Sequence, residues 1–137
     1  LLVVVFAFGS FSIVKNISSD IGKYDKDIQT FSKLEEKALG LYKLSQSASE
    51  QAIVFEIDNN GIKNWEKSLE ILTKIDTYDL PIVYQTRNKK LKEYCELRIK
   101  SYQTIKKAIL EETNIYDNQI ENFNIEIEKI ITDLSSN

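Results

Sequence analysis

The side chains that most often carry chemistry are scarce in this sequence. Histidine is absent and cysteine occurs once, as Cys95. A Ser-His or Cys-His nucleophile pair and a histidine-type zinc site are therefore excluded from this segment. It also contains no glycine-rich phosphate loop and no D-x-D-x-D-G calcium loop. Cys95 lies in an apolar helical row and is interpreted as a buried, inert thiol. We predict no enzyme activity for this segment, and we expect it to contain no catalytic residue and to bind no metal or cofactor.

Three residues are candidates for a ligand or ion-pair cluster: Trp65, Tyr94 and Arg98. Arg98 falls in an otherwise apolar row. Its guanidinium is expected to reach solvent along its own stem or to pair with a carboxylate such as Glu96 or Glu66. Alternatively, it holds an anionic ligand, with Tyr94 and Trp65 lining the site. Trp65 itself is favoured as an anchor of the core.

The elements that must position these residues are helices. Apolar residues recur at spacings of three and four, and one proline and four glycines leave few turns. The pattern predicts an all-α fold, an antiparallel bundle of three long helices near 20–45, 48–78 and 80–134. The soluble bundle domain would span residues 16–137.

Local features predict where these helices begin and end. Ser47 followed by Glu50 has the form of a capping box, which places the start of the second helix near Ala48. The stretch 59–61 (NNG) is weakly helical, and we expect a kinked or frayed helix there. Pro81 ends the second helix and suits the first turn of the third.

The third helix changes character along its length. Its apolar face rotates across the polar stretch 111–114, and no glycine or proline marks a turn there. The continuous helix is favoured, with a break at 111–115 as the alternative. If the chain folds back, it closes a four-helix bundle. If it does not, residues 116–134 are expected to pair with a second copy or another part of the parent protein.

The polar stretch 111–114 also separates a basic part of the sequence from an acidic one. Residues 87–107 hold eight Lys or Arg against two Glu, whereas residues 111–137 hold seven Asp or Glu against one Lys. Solvated helix faces are the favoured explanation, and docking of the two stretches on each other, or of the basic one on lipid headgroups, is the alternative. The net charge of −3 gives no electrostatic case for nucleic acid.

The first fourteen residues, LLVVVFAFGSFSIV, are uncharged. About 20 apolar residues are needed to cross a bilayer. We therefore expect residues 1–15 to be the C-terminal half of a transmembrane helix whose beginning lies upstream. The apolar core of a secretory signal is the alternative, but the run lacks a good cleavage site. The membrane is thus an expected partner, and the side on which the bundle lies stays open.

Several segments together resemble a known family. Residues 61–66 (GIKNWE), 80–81 (LP) and 87–98 (RNKKLKEYCELR) are similar to the C-terminal extension of certain bacterial rhomboid-family intramembrane serine proteases. Such an extension follows the last membrane helix, as residues 16–137 follow the apolar run here. The resemblance implies a bacterial cell membrane location. The family's G-x-S-G loop and its histidine do not occur here, so any active site would lie upstream.

Three functions are consistent with these observations. The leading expectation is a non-catalytic, membrane-tethered accessory domain of a rhomboid-type protease, acting in substrate approach, positioning or assembly. The second is a membrane-proximal sensor that binds a ligand between its helices. The third is a structural coil that oligomerises its parent. A sensor requires a pocket among the apolar rows, whereas a spacer should pack solidly. An oligomerisation coil should expose an apolar row that the single chain cannot cover.

Overall fold

The computed structural model describes residues 20–136, and every regular element in that range is a helix. The elements are α1 (Ile21–Ala38), a 3-10 helix (Leu39–Lys43), α2 (Glu50–Glu56), a π-helical segment (Ile57–Ile62), α3 (Lys63–Ile75), α4 (Ile82–Leu110) and α5 (Asp117–Ser135). The all-α prediction is confirmed. The first predicted helix corresponds to α1 and the 3-10 helix, and the second to the continuous run from α2 to α3.

Polar contacts between helix ends show that neighbouring helices run antiparallel. Each contact joins the first half of one helix to the end of another. They are Tyr78 to Asp27 at 2.6 Å, Asn88 to the Leu72 carbonyl at 2.8 Å, and Arg87 to the Leu134 carbonyl at 3.1 Å. The helices pack most extensively between α1 and α3, α3 and α4, and α4 and α5. The four packed helices therefore form an up-down-up-down bundle.

The second helix begins two residues later than predicted. Ser49, in an extended conformation, caps α2 by accepting a hydrogen bond from the Ala52 amide at 3.1 Å. Ser47 instead donates its amide to the Ser45 hydroxyl at 3.2 Å, within the preceding loop. The predicted capping box at Ser47 is therefore wrong, because this local turn already engages the serine.

The irregularity predicted at residues 59–61 is confirmed in position and takes the form of a π-helical segment. The chain continues through Ile57–Ile62 without a turn. Gly61 is buried there, and a Cβ at Gly61 would lie 2.5 Å from Cε2 of Tyr102. Only glycine therefore allows the ring of Tyr102 on α4 to approach the backbone this closely.

The expectation of a continuous third helix is wrong. Glu112 has a φ of 48°, the left-handed conformation. The amide of Thr113 donates to the Ala108 carbonyl and that of Glu112 to the Ile109 carbonyl, both at 3.1 Å. This pair of bonds is a Schellman motif, which normally has glycine in the left-handed position. The turn was missed because a glutamate fills that position.

Beyond this turn the chain folds back, so the four-helix alternative is confirmed. α5 packs along α4 with three buried side chains, Ile127, Ile131 and Leu134. Lys90 on α4 and Asp133 on α5 lie 3.7 Å apart, so an ion pair between the basic and acidic stretches joins these two helices. Association of residues 116–134 with another molecule stays a prediction.

The predicted membrane segment, residues 1–15, lies outside the described residues. Within residues 20–136, no helix combines the length and the apolar character that crossing a bilayer requires.

Candidate functional site

The structure brings the three predicted site residues together in the core. Trp65 lies on α3, and Tyr94 and Arg98 lie about one turn apart on α4. The rings of Trp65 and Tyr94 meet edge to face, with centroids 5.3 Å apart. The guanidinium carbon of Arg98 lies 5.2 Å from the Tyr94 centroid and 6.0 Å from that of Trp65. These distances allow cation–π attraction.

Two further tyrosines complete the aromatic surroundings. The guanidinium carbon of Arg98 lies 5.7 Å from the ring centroid of Tyr42, in the 3-10 helix. Tyr102, one turn beyond Arg98, has its ring centroid 6.0 Å from that of Tyr42. Its hydroxyl donates to the Ala38 carbonyl at 2.7 Å. Tyr102 thereby joins α4 to the end of α1.

The carboxylate that completes this group is Glu35 on α1, which the sequence analysis missed. Its side chain is 1% exposed. Burial raises the pKa of the Glu35 carboxyl from 4.5 to about 7, against the opposing effects of the neighbouring Tyr94 hydroxyl and the Arg98 charge. Glu35 lies four residues after Phe31 and three before Ala38, both in the apolar row, so its helical position could have indicated it.

We call the group the arginine cluster. Its members are Glu35, Tyr42, Trp65, Tyr94, Arg98 and Tyr102.

The expectation that the Arg98 head reaches solvent is wrong, since the residue is 4% exposed. Removing a guanidinium from water costs several kcal/mol, which aromatic faces and a nearby carboxylate offset. Glu66 and Glu96 are both exposed. The positive charge of Arg98 instead acts on Glu35, where it opposes the rise in the pKa of the carboxyl. The arrangement therefore holds a cation inside the bundle, surrounded by groups from α1, the 3-10 helix, α3 and α4.

Burial also limits what the arginine cluster can bind. Trp65 is 0% and Tyr94 is 1% exposed, so neither ring offers a face to solvent. A ligand could reach Arg98 only if the helices moved apart. The cluster thus has the packing of a structural core, with Trp65 as the anchor that its pattern predicted.

The remaining chemistry-bearing residue, Cys95, is also buried. It is 0% exposed, and burial raises the pKa of its thiol well above the ordinary value. The prediction of a buried thiol is confirmed, and a raised pKa makes such a thiol a poor nucleophile. Within residues 20–136, no group of three or more Cys, Asp or Glu residues is placed to hold a metal ion.

Comparisons with known proteins give no match, either to a family model, to a curated protein or to a solved structure.

Proposed function

We propose that this chain is a non-catalytic helical domain held at a bacterial cell membrane by residues 1–15. As the resemblance implies, its parent would be a rhomboid-type intramembrane serine protease, for which the bundle acts in substrate approach, positioning or assembly. The tethering is supported by apolar residues that are exposed at one end of the bundle.

That end joins the start of α1 to the connection between α3 and α4. Oδ2 of Asp20, the first described residue, accepts a hydrogen bond from the Asp79 amide at 2.8 Å. The connection leads directly into Ile82 and Val83, which are 73% and 42% exposed. We call these two residues the apolar tip. The apolar tip thus lies near Asp20, the residue at which the described chain begins after the uncharged run and residues 15–19.

An apolar tip in this place suits a membrane surface. Exposed apolar side chains are covered when they enter the headgroup region of a bilayer. A tether that leaves the membrane next to Ile82 and Val83 would hold them close to the lipid. This supports an orientation in which the apolar tip faces the membrane surface.

The other two functions have less support. A ligand sensor would use the arginine cluster, whose Trp65, Tyr94 and Arg98 are at most 4% exposed. An oligomerisation coil would use the apolar row of α5, whose Ile127, Ile131 and Leu134 are already buried in the bundle.

A fluorophore at each end of the bundle tests the membrane orientation. The full chain carries an environment-sensitive label on Ile82→Cys, or on Ile115→Cys as a matched control at the opposite end, and is reconstituted in lipid nanodiscs. Native Cys95 is buried and reacts slowly. We expect an apolar emission spectrum from the label at position 82 and an aqueous one from position 115. Two aqueous spectra would contradict the orientation.

Two functional experiments test the rest of the proposal. Replacing Val5 and Phe8 with lysine should block insertion of the parent, because a lysine in the middle of a membrane helix costs about 2.5–3.5 kcal/mol. Deleting residues 20–137 should change the parent protease's turnover of membrane substrates. Equal turnover of every substrate by the deleted and intact forms would remove the accessory role.

A further inference from the structure

The end of the bundle opposite the apolar tip carries an open apolar groove. We call it the α2–α4 groove. It lies between α2 and the end of α4, has a volume of about 460 Å³, and is lined by Glu50, Gln51, Val54, Phe55, Asp58, Asn59, Ile109, Leu110 and Glu112. Pockets of about 300–1,000 Å³ hold small ligands or anchor side chains of partners. Phe55 and Leu110 are each 64% exposed, so two large apolar side chains face solvent here.

The groove continues into a second hollow around the α4–α5 turn. This hollow has a volume of about 600 Å³ and shares Glu50, Ile109 and Glu112 with the α2–α4 groove. Ile115, on the same turn, is 72% exposed. Exposed apolar side chains that cluster around a concave surface mark an interaction site far more often than the same number scattered singly.

The charges around the α2–α4 groove are acidic. Asp58 is paired with Lys106 at 2.7 Å. Within the described part of the chain, Glu50 and Glu112 make no ion pair. The rim is therefore complementary to a partner with positive charge.

We propose that the α2–α4 groove binds a short helical segment of a partner protein, with large apolar side chains on one face and lysine or arginine beside them. The apolar side chains would contact Phe55 and Leu110, and the basic ones would pair with Glu50 and Glu112. This site goes beyond the function proposed above and does not depend on a membrane tether.

The shape of the groove favours a helix as the occupant. Two helices form its walls and no sheet edge borders it within residues 20–136, so an added strand would leave its backbone groups without partners. The groove extends along α2 and the start of the π-helical segment, from Glu50 to Asn59. These residues rise by about 14 Å at 1.5 Å per residue. A partner helix of two to three turns covers that length, the size of a helix-in-groove contact.

Binding of a synthetic peptide tests the proposal. The probe is a fluorescent helical peptide of about twelve residues with leucine on one face and lysine beside it, and its twin has glutamate in place of lysine. Fluorescence anisotropy measures binding to the full chain in nanodiscs of zwitterionic lipid, with empty nanodiscs as the blank. We expect the lysine peptide to bind, its affinity to fall with added salt, and the glutamate peptide to bind more weakly.

Variants locate the binding. Phe55→Ala combined with Leu110→Ala should weaken binding of the lysine peptide about tenfold or more, since central apolar anchors dominate such interfaces. Both side chains are largely exposed, so the fold should tolerate the change. The matched control is Ile125→Ala on α5, an exposed apolar residue outside the groove, which should leave the affinity unchanged. Glu50→Gln with Glu112→Gln should reduce the salt dependence.

Three results would overturn the proposal. The first is equal affinity for the lysine and glutamate peptides, which would deny the role of the acidic rim. The second is equal binding by the wild-type chain and the Phe55 and Leu110 variant. The third is self-association of the full chain that requires Phe55 and excludes the peptide, which would assign the groove to a second copy.

Discussion

The arginine cluster and the α2–α4 groove both depart from the usual pattern of apolar residues inside and charged residues outside. The cluster places charged groups in the core, whereas the groove places large apolar side chains on the surface. The arginine cluster holds a cation and a carboxyl inside the bundle, where Arg98 is 4% and Glu35 is 1% exposed. The α2–α4 groove leaves Phe55 and Leu110 each 64% exposed. The cluster surrounds its charged groups with rings from neighbouring elements. The groove has no such cover within the described residues.

The difference indicates where the chain maintains its fold and where it meets other molecules. Buried charged groups are tolerated only when their neighbours compensate them, so they contribute to one specific packing of the helices. Exposed apolar side chains around an open groove are compensated only by a partner. The π-helical segment connects the regions, because Asp58 and Asn59 line the groove while Gly61 packs against Tyr102.

The largest expected effect is the loss of the buried cation. Arg98→Ala should lower the free energy of unfolding by about 3–5 kcal/mol, because it leaves Glu35 without its nearby positive charge and opens a cavity. Lys100→Ala, on the exposed face of the same helix, should change stability by less than about 0.5 kcal/mol. Denaturant unfolding followed by Trp65 fluorescence measures both. Equal effects would remove the structural role of the arginine cluster.

The Glu35 carboxyl should make stability depend on pH. Its pKa is about 7 in the folded state against an ordinary value of 4.5, so the folded chain binds more protons between these values. Stability should therefore fall as pH rises from 4.5 to 7, by about 3 kcal/mol at most. Glu35→Gln should abolish this fall and be more stable at pH 8. Unfolding curves from pH 4 to 8 measure both proteins, and parallel pH profiles would contradict the prediction.

Two glycines offer a matched comparison of packing. Gly61→Ala should destabilise the chain by about 1–3 kcal/mol, because the new Cβ meets the Tyr102 ring between Trp65 and Tyr42. Gly22→Ala meets no atom within 4 Å and should stabilise α1 by up to about 1 kcal/mol. Thermal unfolding measures whether each variant is more or less stable than the wild type. A Gly61→Ala protein as stable as wild type would deny the close approach of Tyr102.

The smallest effect concerns the α4–α5 turn. Glu112→Gly should raise the free energy of unfolding by about 1 kcal/mol, since glycine adopts a positive φ without strain. Glu111→Gly is the control, because Glu111 has a φ of −92° and gains no relief. It should be neutral or slightly destabilising. If Glu112→Gly destabilised the chain as much as Glu111→Gly does, the left-handed conformation of Glu112 would be in doubt.

Much of the fold was predictable because it follows from periodicity. The apolar rows gave the all-α class and the approximate positions of the first two helices. The rows also placed Trp65, Tyr94 and Arg98 where the helices face each other. Pro81 and the stretch 59–61 indicated the end of the second helix and its irregularity, because proline and glycine have strong backbone preferences.

The sequence analysis missed two features. The turn after Leu110 has no glycine, and Glu112 adopts the left-handed conformation in a turn that lets α5 pack against α4. Glu35 was missed because a glutamate within a helix is expected on the solvated face. Its buried position places it near the charge of Arg98, more than sixty residues away in the chain. Both features result from tertiary contacts, which override local preference.

Chemical-shift mapping of the full chain, titrated with the lysine peptide in nanodiscs, tests the central contrast most directly. The chain has one tryptophan, so the indole NH of Trp65 reports on the arginine cluster alone. We predict shift changes for the amides of Gln51, Phe55 and Leu110 in the α2–α4 groove and none for the Trp65 indole. Changes at the indole with an unaffected groove would contradict the account, since they would make the buried arginine cluster the binding site.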